Sequence, residues 1–331
     1  METTAKSEHE PEIILLGGKY SVPPTHITGL PPKGEYIKQL LSREEETLLP
    51  AEATALSEAN IAFFGIGSVG GNLAKQLAAL GAGTNGVLRL IDMDTFDITN
   101  LNRQEAGWKD VVARIPKTQG IKNAILQRNP YAHVITHDNG IDISEIEAMI
   151  ENCDLAVWGL DDTELAYELH KQAIKHGKPV YSSLDLGEWG MNRWWPYNKK
   201  GSLPFNGLIN DETFRTLKAN KIAFLAQGIH NLEDNMPASL LRNIYKIATG
   251  QRNFLIQTNT AAAIVSSIGS KNIAKILAYG DNSHVLEQST FKTDQITMTP
   301  EYWDKQETER IELLRNTVIR SMLGLTPIEQ K

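Results

Sequence analysis

The stretch Ile61-Ala62-Phe63-Phe64-Gly65-Ile66-Gly67-Ser68-Val69-Gly70 leaves this chain little choice of fold. Four apolar residues with two aromatics predict a short buried strand. Gly65, Gly67 and Gly70 then predict a tight turn into a helix over about 69–80. The first glycine permits the turn, the second lets a phosphate approach the backbone, and the third lets helix and strand pack closely. Unpaired N–H groups and the positive dipole end at the helix start favour an anion there.

The following residues repeat the pattern. Strands are predicted at 87–91, 133–136, 155–158 and 180–182, with helices at 117–127, 143–151 and 163–176. Such alternation implies an α/β, Rossmann-like fold: a mostly parallel, doubly wound sheet with helices on both faces. Ligands of such sheets lie at the carboxyl ends of the strands, where Gly65, Asp92 and Asp161 fall. We divide the chain into an N-terminal arm and helix (1–58), a nucleotide-binding domain (59–184), and a segment (185–331) that completes the same domain. The arm carries Pro11, Pro23-Pro24 and Pro31-Pro32, a helix is expected over 35–49, and Pro50 is expected to break it. The last segment should supply a crossing loop, helices at 240–247, 258–278 and 300–322, and antiparallel strands at 285–288 and 295–298. Trp189, Trp194 and Trp195 read either as core or as the wall of an acyl-substrate groove.

Asp92 ends the second strand, where a carboxylate can accept hydrogen bonds from a ribose diol. To that point a nicotinamide site explains the residues equally well. Asn100, Asn102, Arg103 and Gln104 then crowd hydrogen-bonding groups into one loop, and Arg103 offers a planar fork suited to phosphate oxygens. Pro116 suits a helix entry and places Lys117 in the first turn. A triphosphate being cleaved needs this cationic, donor-rich set; a redox cofactor seldom does.

The order Gly-X-Gly-X-X-Gly, Asp92-X-Asp94, Asn100-Leu-Asn102-Arg103-Gln104, Lys117, Asn129-Pro130 and Asp161-Asp162 resembles the ThiF/MoeB/HesA superfamily, bacterial relatives of ubiquitin-activating enzymes. The likeness runs from about residue 60 to 183. It implies a nucleotide site of Gly65, Gly67, Gly70, Asp92, Asp94, Asn100, Arg103, Gln104 and Lys117. Asp92 would hold the ribose, and Asn100, Arg103 and Lys117 the triphosphate. Asp161 would position Mg2+; Asp162 stands where the family has Asn, so both carboxylates are offered to the metal. Lys38 lies about where the family carries a basic residue that reaches the ATP of the other subunit, the alternative being a solvated lysine. The resemblance thus implies ATP and Mg2+, a homodimer, and an adenylyltransferase that converts a carboxylate to an acyl-adenylate and pyrophosphate. Its substrate would be a ribosomally made peptide or, alternatively, the C-terminus of a ubiquitin-like sulfur carrier. A nicotinamide-dependent oxidoreductase and a non-catalytic partner subunit are the rival classes. The helix over 258–278, with its small residues, either joins the dimer contact or covers its own sheet.

Composition sets the remaining bounds. A single cysteine among 331 residues rules out the four-sulfur zinc site of many family members, and the eight histidines show no ligand spacing that replaces it. Cys153 opens an apolar strand and reads as structural. A net charge of −7 argues against nucleic acid as a partner. No apolar run reaches about 18 residues, so no membrane span is expected. One cysteine and a polar start fit a cytoplasmic protein. Neither a Gly-X-Ser-X-Gly elbow nor a Gly-X-X-X-X-Gly-Lys-Ser/Thr loop occurs, which disfavours a hydrolase triad and a P-loop.

Overall fold

The computed structural model describes residues 13–14, 21–22, 29–159, 161–228 and 238–292. Two short strands, β1 (Ile13–Ile14) and β2 (Ser21–Val22), pair antiparallel as a separate sheet. The main sheet holds β3 (Ile61–Phe64), β4 (Leu88–Ile91), β5 (Val134–His137), β6 (Leu155–Trp158), β7 (Val180–Leu186), β8 (Trp189–Trp195) and β9 (Gln288–Lys292), in the order β5-β4-β3-β6-β7-β8-β9. β3 to β7 are mutually parallel, and β8 and β9 add antiparallel at one edge. This is the extended, doubly wound sheet expected from the alternation of strands and helices.

The helices are α1 (Lys33–Leu41), α2 (Pro50–Glu58), α3 (Ser68–Ala79), α4 (Trp108–Val112), α5 (Lys117–Leu126), α6 (Ile146–Glu151), α7 (Thr163–His176), α8 (Asp211–Leu217), α9 (Lys221–Gly228), α10 (Ala238–Ala248) and α11 (Asn259–Tyr279). β3 shows why they form two layers. All four of its residues are buried, and successive side chains point to opposite faces. Ile61 and Phe63 join a core with Leu73 and Leu77 of α3, Ile121 of α5 and Ile273 of α11. Ala62 and Phe64 join another with Ile150 of α6 and Ala166 and Leu169 of α7. Each such large side chain stabilises the fold by about 1.5–3 kcal/mol relative to exposure.

Strand register brings the site together. Phe64 pairs with both Ile91 and Trp158, so Gly65, Asp92 and Gly159 leave three neighbouring strands at the same edge.

The structure corrects one helix boundary and decides two readings that the sequence leaves open. The helix over 35–49 is only α1; turns follow it, and Pro50 opens α2, since a first helical residue needs no N–H partner. The tryptophan segment, where the resemblance implies a further sheet strand and then a crossing loop, is β8, with Trp189, Trp194 and Trp195 at 0%, 5% and 1% exposure, so of the two readings they are core. The small-residue face of α11 (Ala261, Ala262, Ala274) is buried within its own chain against α3, β7 and β8. The strand expected at 285–288 is placed at β9, and the strand at 295–298 and the helix at 300–322 lie outside the described residues.

Candidate active site

The glycine turn is built as its spacing requires. Gly65 has φ +102°, a value that favours glycine. A Cβ on Gly70 would overlap the carbonyl oxygen of Gly65, so the helix approaches the strand through a bare backbone. A Cβ on Gly67 would meet no protein atom, because that side faces an open cleft. Asp92 ties the turn to β4: one carboxylate oxygen accepts from the Ile66 N–H (2.7 Å) and the other from the Asp94 N–H (2.9 Å). Each oxygen retains a lone pair for a further donor such as a ribose hydroxyl.

The cleft has a volume of about 950 Å³ and opens at the carboxyl ends of the strands. Gly67, Ser68 and Gly70 line it on one side, with Arg103, Asp161 and Lys221 on others; Leu225, Ile247 and Phe254 add an apolar wall. Asp161 is largely exposed and pairs with Lys221 Nζ at 2.5 Å. Asp185 lies deeper, on β7, at 4% exposure. Burial pushes its carboxyl up to about 7, against the pull of the Ser68 hydroxyl, the Arg103 charge and the Gln257 amide.

Arg103 is held on two flanks. Its Nε and Nη2 both donate to Gln257 Oε1 (3.1 and 3.0 Å), and Nη1 donates to the Thr99 carbonyl (2.6 Å) and Asn102 Oδ1 (3.0 Å). Gln257 Nε2 in turn donates to Asp185 Oδ1 at 3.1 Å, and Ser68 Oγ donates to both oxygens of that carboxylate at 3.2 Å. Gln257 is delivered by residues 253–257, which cross the end of the β7–β8 hairpin. Asn243 of α10 grips this segment, donating to the Phe254 carbonyl and accepting from the Ile256 N–H. Gly187 donates its N–H to the Ile256 carbonyl, and Thr258 caps α11 just beyond. The crossing element thus lies within the segment 185–331, at residues 253–257.

Of the expected site residues, Gly67, Gly70, Arg103 and Asp161 meet in the cleft. Lys117 and Asp94 sit together beside it: Lys117 Nζ pairs with Asp94 Oδ2 at 2.7 Å, and the two backbones bond at 2.9 Å. Asn100 turns inward, its Oδ1 accepting from the Asp97 N–H to cap a short 3₁₀ turn. Gln104 Oε1 is buried with no partner among the described residues. Asp162 caps α7, accepting from the Glu164 and Leu165 N–H groups, and its Oδ1 is committed there. Lys38 is exposed on α1, away from its own cleft. Cys153 is buried, its thiol pushed up to about 12 by burial, as suits a packing residue. Among the described residues no group of three or more His, Cys, Asp or Glu is placed to hold a metal.

The comparisons with known proteins place the family and the fold. A family model described as the ThiF family matches residues 41–311. The chain belongs to the ThiF family. It is 31% identical over 141 residues to ubiquitin-like modifier-activating enzyme 1 of Mus musculus, covering 41% of this chain and 13% of that enzyme. It is 28% identical over 131 residues to a molybdopterin-synthase adenylyltransferase of Haemophilus influenzae, covering 40% of this chain and 52% of that one. Thus the chain spans about half, or much less, of the length of these relatives. Solved structures of the same fold include E. coli MccB with ATP (TM-score 0.56, 17% identity, 79% of this chain and 70% of that one) and PaaA (TM-score 0.53, 18% identity, 81% and 82%). A ThiF-family fold explains why the glycine turn, the Arg103 loop and Asp161 converge.

Proposed function

We propose that this chain is an ATP-dependent adenylyltransferase that activates a carboxylate of a peptide or protein. The observation that carries the reading is the meeting of a bare glycine turn, the Arg103 guanidinium and the Asp161 carboxylate in one cleft of a ThiF-family fold. The cleft fits a triphosphate: Gly67 leaves space where a side chain would intrude, and the start of α3 presents N–H groups to an anion. In the reaction, an oxygen of the substrate carboxylate bonds to the α-phosphorus, the bond to the bridging oxygen breaks, and pyrophosphate leaves with its electron pair. Little acid–base chemistry is required; positioning and neutralised charge carry the step. Arg103 faces the developing phosphate charge, and Lys117, held on Asp94, and Asn100 are the other residues that the resemblance sets on the triphosphate. Asp161 is the residue for Mg2+, a hard cation that binds through one or two carboxylates and phosphate oxygens and would offset the charge of the leaving pyrophosphate.

Within this class we favour tailoring of a ribosomally made peptide. Cys153 is buried and its thiol is held protonated, so it offers no thioester, and the apolar wall formed by Leu225, Ile247 and Phe254 suits an extended peptide tail. Activation of a ubiquitin-like sulfur carrier is the second reading, supported by similarity to the molybdopterin-synthase enzyme. ATP–pyrophosphate exchange, measured with candidate peptides and carriers, tests both. Exchange should depend on one class of acyl substrate and fall at least about 100-fold in Arg103→Ala. Native exchange in that variant would overturn the site.

A further inference from the structure

Asp185 and Gln257 belong to no part of the reaction described above, yet they reach its central cation. Asp185 lies on β7 and Gln257 lies 154 positions from Arg103 in the chain, but the fold joins all three through a single amide. The donors and acceptors run in one direction. Ser68 and Gln257 donate to the carboxylate; the amide oxygen left over accepts twice from Arg103. Once ionised, at pH above about 7, the Asp185 carboxylate is an acceptor only, so it decides which end of the Gln257 amide faces Arg103. With the amide reversed, an NH2 group would confront a guanidinium, donor against donor.

We infer that Asp185 and Gln257 are positioning residues for Arg103, orienting its guanidinium on the phosphate end of the cleft. The proposal rests on the adenylyltransferase reading. The amide also acts as a spacer. Arg103 and Asp185 carry opposite charges, and direct contact would cancel the charge a triphosphate needs. With Gln257 between them, Arg103 is fixed along its Nε–Nη2 edge while Nη2 keeps a hydrogen to spare. The segment bearing Gln257 is itself fixed by Asn243 and by the Gly187 pairing, so the amide has a rigid base.

The test is a double-mutant cycle on ATP affinity, measured by calorimetry on the full chain without acyl substrate. Gln257→Leu keeps the bulk and removes all three hydrogen bonds of the amide. It should weaken ATP at least about tenfold in the native background and less than about twofold in Arg103→Ala, because it acts through that residue. Gln257→Glu sets two carboxylates face to face and should lose as much. Adding Asp185→Asn relieves that repulsion but leaves the new carboxylate directly against Arg103, so affinity should stay at least about tenfold below native. Equal losses in both backgrounds, or native affinity in the doubly changed chain, would overturn the relay alone. A native chain that binds no ATP overturns the adenylyltransferase reading and the relay with it.

Discussion

Asp185 is a carboxylate in an unfavourable place, and its cost can be read as a function of pH. Burial lifts its pKa from near 3.9 in an exposed aspartate to about 7. The folded chain therefore holds this proton more tightly than the unfolded chain does. The stability it contributes is complete below the ordinary carboxylate range and is lost as pH rises through about 7. Above that, the buried site carries a charge that Arg103, Ser68, Gln257 and a backbone hydrogen bond at Asp185 offset only in part. Asn at this position has the same shape and no proton to lose. The advantage of Asp185→Asn in unfolding free energy should therefore grow by about 2–3 kcal/mol between pH 5 and pH 8.5. Denaturant titrations at the two pH values measure this. A difference that stays flat would mean that the carboxylate is better solvated than its 4% exposure indicates.

At the scale of elements, α7 shows both what could be read beforehand and what could not. Its span was legible because its ends are chemical: Asp162 caps the start, and Gly177, at φ +62°, stops it in the left-handed region. The adjacency of Asp161 and Asp162 was legible too, but not their division of labour, since that depends on where the strand ends and the helix begins. The structure turns Asp162 to its own helix and leaves Asp161 in the cleft. Asp162→Asn should keep the cap and retain pyrophosphate exchange within a fewfold, because Asn caps as well as Asp, whereas Asp162→Ala should lose about 1 kcal/mol of stability. Asp161→Asn should instead lose exchange by about 100-fold or more. An equal loss in both Asn variants would return Asp162 to the metal. β8 was legible only through the family resemblance and not from its own residue pattern. A strand covered on both faces shows no alternation, and here even its polar side chains are buried: Asn192 accepts from Ser183 Oγ at 2.6 Å, and Arg193 lies over the Trp195 ring. Gln257 had no local signal at all, since only the path of residues 253–257 across the β7–β8 hairpin brings it to Arg103.

For the whole molecule, the position of α1 decides how Lys38 could act. Tyr36 donates to the Arg128 carbonyl at 2.7 Å, and Tyr131 donates to that of Pro31 at 2.6 Å. Both anchors lie in the loop entering β5, at the amino ends of the strands, whereas the cleft opens at the carboxyl ends. Lys38 therefore has no short route to the phosphates of its own chain. If it serves a site, that site belongs to a second copy. We accordingly propose a homodimer in which Lys38 completes the partner's cleft, and sedimentation should give about twice the 36.8 kDa chain mass. Mixing separates this from a merely structural pairing. Suppose Lys38→Ala and Arg103→Ala are each impaired, and equal amounts are dissociated and reassociated. Half of the dimers then contain one chain of each kind. In such a dimer one cleft has both defects and the other has neither, because its Arg103 and its borrowed Lys38 come from the intact sides. Exchange should recover to about a quarter of native. If Lys38 acted within its own chain, each cleft would keep its own single defect and mixing would recover nothing. A Lys38→Ala protein with native exchange would return this residue to the solvent.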